Sequence, residues 1–343
     1  MRILIIGGTG FIGPHVVRAL QGMGHDLTVF HRGQTEAGLP ASVAHLHGDR
    51  AQLSAYREEL QRLAPEVVVD MKPMTEADAR AVMDVFRGVG RRVVAISSGD
   101  VYRAYDIFRG SEPGPPEPIP LTEESPLRAR LYPYRGSVPR GLDDPSRWID
   151  DYEKILVERV VLSDRSFLGT VLRLPMVYGP GDEQHRLFPY LKRMDDHRPA
   201  ILLGREQASW CWTRGYVENV GTAIALAVVD DRAAGRVYNV GEATALSEAE
   251  WVRAIALAAG WHGKIVTVSH DKLPSKQPQM NFGQHLVMDT TRIRREFGYQ
   301  EVLSQAETLR RAIAWERAHP PANLDPQDFD YAAEDVLLGR LES

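Results

Sequence analysis

The sequence predicts an α/β fold, a doubly wound parallel sheet followed by a smaller C-terminal lobe. Three observations predict it. The chain opens on a short apolar run, Met1-Arg2-Ile3-Leu4-Ile5-Ile6, that leads at once into Gly7-Gly8-Thr9-Gly10-Phe11-Ile12-Gly13 and then a helical pattern. Over roughly the first hundred residues, apolar runs alternate with helical stretches, as in parallel strands covered on both faces. At 343 residues, with 43% hydrophobic and 25% charged content, the chain can build one large α/β unit or two modest domains.

A buried strand feeding a glycine turn and a helix N-terminus suits a dinucleotide. Gly7 lets the chain turn sharply, Gly10 lets backbone N–H groups approach a pyrophosphate, and Gly13 lets helix and strand pack closely. Thr9, Phe11 and Ile12 complete the cradle, and the positive end of the helix faces the phosphates. The G-x-x-G-x-x-G spacing resembles the extended and atypical short-chain dehydrogenase/reductases, which include the NAD-dependent epimerases and dehydratases of nucleotide sugars. The resemblance covers about residues 1 to 318. It implies a Rossmann-like dinucleotide-binding domain over 1–175 plus parts of 205–245. A substrate-binding lobe then takes 176–204 and 246–318, and 319–343 is a C-terminal tail.

The first helix is expected over His15 to Met23, and a second strand over Asp26 to Phe30 ends in His31-Arg32-Gly33. NAD-binding members of the resembling families usually carry an acid at this strand end, for the ribose hydroxyls. Here that position is His31, with Arg32 after it. Losing the acid and gaining a guanidinium fits a 2′-phosphate, so NADP is expected ahead of NAD. Gly48-Asp49-Arg50 resembles the segment beside the adenine, which makes Asp49 a candidate contact. A further strand, Glu66 to Asp70, ends in Met71-Lys72-Pro73, bulkier than the small residues the resembling families place there.

The strand Arg92 to Ile96 delivers Ser97-Ser98-Gly99-Asp100-Val101-Tyr102, which looks like the family's serine-bearing strand end. Counting back from Val101-Tyr102 puts the substrate-orienting hydroxyl at Ser98, with Ser97 as its competitor and Tyr102 as a substrate contact. Residues 103 to 149 read as an extended loop, because Ser111 to Pro120 holds five prolines. The loop carries Arg103, Tyr105, Arg109, Arg128, Arg130, Tyr132, Tyr134 and Arg135, a group that suits an anionic substrate.

A helix is expected from Asp150 to Glu158. The resembling families carry Tyr-x-x-x-Lys there, often with Glu four residues later. Lys154 and Glu158 match the last two members, but the tyrosine position is Asp150. Tyr152 lies two residues from Lys154, on roughly the opposite side of a regular helix. The resemblance gives Lys154 the nicotinamide ribose. The acid/base stays open between Tyr152 (if the helix starts late), Asp150 itself, a loop tyrosine such as Tyr132 or Tyr134, and none.

Gly169 to Asp182 resembles the family string Arg-x-x-x-Val-Tyr-Gly-Pro-Gly. It implies Pro175 beside the nicotinamide carboxamide and Tyr178 near the substrate. The family's diphosphate-binding arginine position falls on Trp212, and Arg214, two residues on and on the same strand face, can take its place.

The net charge of −5 gives no basic field, so nucleic acid is not an expected partner. The lone Cys211 excludes an intramolecular disulfide. No stretch approaches the roughly 20 apolar residues of a membrane helix, and the N-terminal run is too short for a signal peptide, so a cytoplasmic protein is expected. The eleven histidines look scattered and no metal is expected. The resemblance further implies a homodimer through the helices near 80–90 and 151–163. Together these readings suggest an NAD(P)-dependent oxidoreductase or epimerase/dehydratase. Its substrate would be a sugar-like or nucleotide-sugar hydroxyl or carbonyl compound, and its active site is atypical. The alternative is a catalytically degenerate dinucleotide-binding protein with a regulatory or RNA-binding role.

Overall fold

Apolar, β-branched runs form the centre of the molecule, in a computed structural model that describes residues 1–35, 38–141, 143–274 and 280–342. Strands β1 (Arg2–Ile6), β2 (Asp26–His31), β3 (Ala44–His47), β4 (Val67–Asp70), β5 (Arg92–Ser98) and β6 (Leu168–Leu174) lie in one sheet. The sheet's order is β3-β2-β1-β4-β5-β6-β10, where β10 is Arg236–Asn239, and every pairing is parallel. Strand order reverses between β1 and β4. In such sheets ligands bind beyond the carboxyl ends of the strands at that point.

Helix α1 (Gly13–Gly22) and the later α8 (Val217–Val229) cover one face of the sheet. On the other face lie α2 (Arg57–Arg62), α3 (Glu76–Phe86) and α5 (Lys154–Ser163), whose Leu60, Val82 and Val157 join a second buried cluster. Between β5 and α5 runs the long connection, which opens with α4 (Arg103–Phe108) rather than as a continuous loop. Tyr102 precedes α4 without a side-chain cap, and the helix ends at Phe108, ahead of Gly110 and the proline-rich stretch.

The C-terminal lobe pairs β7 (Met176–Tyr178) with β9 (Arg214–Tyr216), and β8 (Ala200–Gly204) with β11 (Lys264–Val268). Around them pack α6 (Phe188–Asp195), α7 (Arg205–Ser209), α9 (Glu248–Ala259), α10 (Thr291–Phe297) and α11 (Gln305–Ala318). One apolar cluster runs from Ile5 and Val29 under the sheet to Tyr178, Leu203, Trp251 and Ile313 in the lobe. The last helix, α12 (Tyr331–Glu342), lies on α6. Arg193 donates to the buried Glu334 at 2.7 Å, the Tyr331 hydroxyl donates to Asp196, and Arg198 pairs with Asp335. The tail thus packs on the body of its own chain. Among the described residues no helix is long and apolar enough to cross a membrane.

The helix expected from Asp150 forms differently. Arg147–Asp151 is a short 3₁₀ turn, Tyr152 and Glu153 are non-helical, and α5 begins only at Lys154. Glu153 is the cause. Its carboxylate accepts the Ile155 N–H at 2.8 Å as an N-cap, accepts the Tyr132 N–H at 2.6 Å, and takes both Arg128 Nη atoms at 2.7 and 2.9 Å. Both side chains of the pair are fully buried. Arg128→Ala should therefore lower unfolding free energy by about 3–5 kcal/mol, because a buried carboxylate loses its counter-charge. Gly13→Ala should cost about 1–3 kcal/mol, since its Cβ would sit 2.5 Å from the backbone carbon of Gly8. Urea unfolding midpoints check both changes.

Candidate active site

The glycine turn sits at the carboxyl end of β1, at the reversal of strand order. Gly7 has φ +81°, a conformation that suits glycine. A Cβ on Gly10 would meet nothing within 4 Å, so the turn presents open backbone there. Helix α1 has no side-chain cap and no acid in its first turn, so no side chain of the helix itself offsets the positive end of its dipole. A Cβ on Gly181, in the Gly-Pro-Gly loop after β7, would come within 3.3 Å of Phe11, so the second motif closes against the first. Pro175 lies between β6 and β7 at the same sheet edge. This cradle fits a dinucleotide pyrophosphate.

At the end of β2, His31 is buried and Arg32 is exposed. Asp49 uses its carboxylate to cap the following turn, accepting the Ala51 N–H at 3.0 Å. Its neighbour Arg50 bridges Asp70 and Asp78.

The end of β5 separates the two serines. Ser97 is buried and donates to Glu158 at 2.5 Å, and Glu158 also receives Arg173 through two hydrogen bonds. This joins two of the sequence motifs in a structural ion pair. Ser98 is partly exposed, its hydroxyl accepts the Asp100 N–H at 3.2 Å, and it lies beside the Tyr152 phenol. The Tyr152 hydroxyl donates to Asp100 at 2.9 Å, and the Tyr134 hydroxyl donates to the same carboxylate oxygen at 3.2 Å. Arg109 donates to the Tyr134 hydroxyl at 2.9 Å. The late start of α5 thus swings Tyr152 to the serine. Burial pushes the Tyr152 phenol well above its ordinary range, and the Asp100 charge adds to the rise.

Lys154 is buried beneath this group. Its Nζ donates to the carbonyls of Pro73 at 2.7 Å and Ile96 at 2.9 Å, and lies 5.9 Å from the Tyr152 ring centre. Burial lowers its pKa to about 8. Asp150 does not join the cluster. Its carboxylate pairs with Arg140 at 2.6 Å, and its backbone carbonyl receives Arg135. Tyr132 stands apart as well, with Arg135 over its ring.

Three substrate expectations need revision. Tyr102 is fully buried and donates to Asn239 at 2.6 Å, while Tyr178 donates to Glu242 and bonds Thr308. Both hydroxyls face the protein interior. The loop arginines are mostly neutralised: Arg103 by Glu112 and Glu117, Arg128 by Glu153, and Arg135 by Asp151. Asp100 and Asp106 went unnoticed in the sequence, because a single acid in a turn or short helix gives no signal of its burial.

Beside Met176 opens a cavity of about 490 Å³ within the C-terminal lobe, lined by lobe and tail residues and by none of Ser98, Tyr152 or Lys154. Trp210, Trp212 and Phe282 form an aromatic wall, and the Trp212 Nε1 donates to the Tyr105 hydroxyl, which links the cavity to the α4 side of the cluster. Each arginine on the cavity wall has a carboxylate: Arg186 with Asp182, Arg193 with Glu334, and Arg214 with Glu248. Asp328 and Asp330, from the tail, face the same space.

The histidines are less scattered than they look in the sequence. His45 and His47 share a face of β3, and His47 is the register partner of His31 on β2. One ring nitrogen from each of the three lies within 4.8 Å of the others.

Comparison with known proteins gives concordant results. The model of the NAD dependent epimerase/dehydratase family matches residues 3–138. A 2′-dehydrokanamycin reductase of Streptomyces kanamyceticus is 28% identical over 242 residues, a match spanning 68% of this chain and 60% of the reductase. A dTDP-glucose 4,6-dehydratase of Streptomyces griseus is 26% identical across 93% of this chain and 94% of its own. In fold, the chain is similar to the UDP-glucose 4-epimerase of Thermotoga maritima, with TM-score 0.65, 17% identity, and coverage of 93% and 99%.

Proposed function

We propose that this chain, whose residues 3–138 match the NAD dependent epimerase/dehydratase family model, carries out NADP-dependent redox chemistry at a hydroxyl-bearing or carbonyl carbon of a sugar-like substrate. One observation carries this reading: Ser98, Tyr152 and Asp100 gather at the carboxyl end of β5, with Lys154 directly below. The nicotinamide cofactor, when bound, supplies or accepts the hydride. The glycine turn and the α1 N-terminus would hold its pyrophosphate, and Lys154 its ribose through the N–H not given to Pro73 and Ile96.

The phenol of Tyr152 keeps its proton near neutral pH, which makes it a donor to a carbonyl oxygen in the direction of reduction. Ser98 would donate to the same oxygen, and Asp100 holds the phenol's orientation. Transferring the proton leaves a phenolate beside a carboxylate, a costly arrangement that the Lys154 ammonium offsets from under the ring. Among the described residues, Asp100 Oδ1 and Arg109 Nη1 are buried without a hydrogen-bond partner, which leaves unused hydrogen-bonding capacity inside the cluster.

The cavity supports a sugar held by aromatic stacking and carboxylates rather than by a free arginine on a diphosphate. An amino sugar fits that lining, in line with the similarity to the dehydrokanamycin reductase. NADP is preferred over NAD because His31 and Arg32 replace the ribose-binding acid. A small molecule in the cytoplasm, not a nucleic acid, is the proposed partner.

With 2′-dehydrokanamycin as the keto probe and NADPH absorbance as the readout, Tyr152→Phe should lower kcat by about 10²–10⁴-fold. Asp150→Asn should stay near wild type, and the reverse ranking would refute the assignment. The Lys154 ammonium exists below about pH 8 and loses its proton as pH rises through that value, so kcat/KM should fall above about pH 8. In fluorescence titrations, Arg32→Ala should weaken NADPH about tenfold and leave NADH nearly unchanged, given the worth of a charged hydrogen bond.

A further inference from the structure

We propose that His31, His45 and His47 form a binding site for a divalent late first-row cation, Zn²⁺ foremost, at the carboxyl ends of β2 and β3. The topology builds it. Two residues apart on one strand, His45 and His47 project to the same side of the sheet, and the parallel register sets His47 opposite His31. Their rings pack edge to face, with centroids 5.0 Å apart for His31–His45 and 4.8 Å for His31–His47. The His31 Nε2 and His45 Nδ1 atoms are 2.8 Å apart, and the ligand atoms of all three lie within 4.8 Å.

Tetrahedral coordination at about 2.0–2.1 Å needs ligand nitrogens roughly 3.3 Å apart. The close pair must therefore open by about half an ångström and the third ring must swing inward. The geometry allows this, since His45 and His47 are exposed and can shift rotamer outward while buried His31 anchors the site. The Gly33 N–H donates to His31 Nδ1 at 3.2 Å, so in the metal-free protein His31 Nε2 carries the proton that points at His45. A cation takes that proton's place. The ring stays neutral by returning its proton to Nδ1, and the contact with Gly33 is exchanged for the metal bond. Three imidazoles leave a fourth position for water. Nitrogen-only ligation without carboxylates favours Zn²⁺, Ni²⁺ or Cu²⁺ over Mg²⁺ and Ca²⁺.

The test uses the full, tag-free chain, with no cofactor or substrate. Calorimetric titration with Zn²⁺ should give one site per chain with a micromolar Kd, and Mg²⁺ should give no heat. Co²⁺ should produce the strong visible bands of a four-coordinate site. His45→Gln and His47→Gln, both at exposed positions, should each weaken Zn²⁺ at least tenfold while leaving the metal-free Tm unchanged. Binding that the double variant retains would overturn the proposal. So would a millimolar Kd or weak six-coordinate Co²⁺ bands. None of these outcomes depends on the proposed redox activity, so the two readings fail separately.

Discussion

Arg128 and Glu153, paired out of contact with solvent, decide where α5 begins. Without that pair, the stretch around Asp150 would be free to continue the helical pattern backwards from Lys154. With it, Glu153 becomes an N-cap, the chain in front of it is extended, and the Tyr152 ring turns toward β5. The same guanidinium donates through Nε to the Asp100 carbonyl at 3.1 Å. One ion pair therefore sets both members of the phenol–carboxylate contact. For a buried pair of this kind, the cost of desolvating both charges offsets much of their mutual attraction.

The second constraint is the closeness of α1 to the sheet. Gly13 lies hard against Gly8, and Gly221 of α8 against His15, so two helices approach where no side chain fits. This fixes the α1 N-terminus above the turn and points its dipole across the strand ends. The lobe is tied to the same frame by the buried Tyr178 and Trp251, whose rings meet edge to face at 4.9 Å. The glycine turn and the lobe's cavity thus rest on one continuous apolar core.

Much of the fold was legible in the sequence because it rests on local signals. The run Ile3 to Ile6 and its glycine turn declare a buried strand and a helix start within thirteen residues, and β5 and β6 read as clearly. The site was only half legible. Ser98, Tyr152 and Lys154 stand out by type and spacing, but which way Tyr152 faces depends on Arg128, which pairs with Glu153 from 25 residues upstream. Helical periodicity around Lys154 therefore left the phenol's side open, and the late start of α5 turns it toward Asp100. Likewise, Tyr102 and Tyr178 carry reactive groups that only burial removes from reach. The His31, His45 and His47 cluster escaped notice because its third member comes from a neighbouring strand whose register no local pattern reveals.

The central claim is that Tyr152, held by Asp100, occupies the place of the tyrosine missing four residues before Lys154. A crystal structure of the chain with NADP⁺ tests it most directly. The account predicts the nicotinamide C4 facing the Tyr152 hydroxyl and Ser98, with Lys154 Nζ on the ribose. A nicotinamide ring set against Asp150, or a ribose out of reach of Lys154, would contradict it.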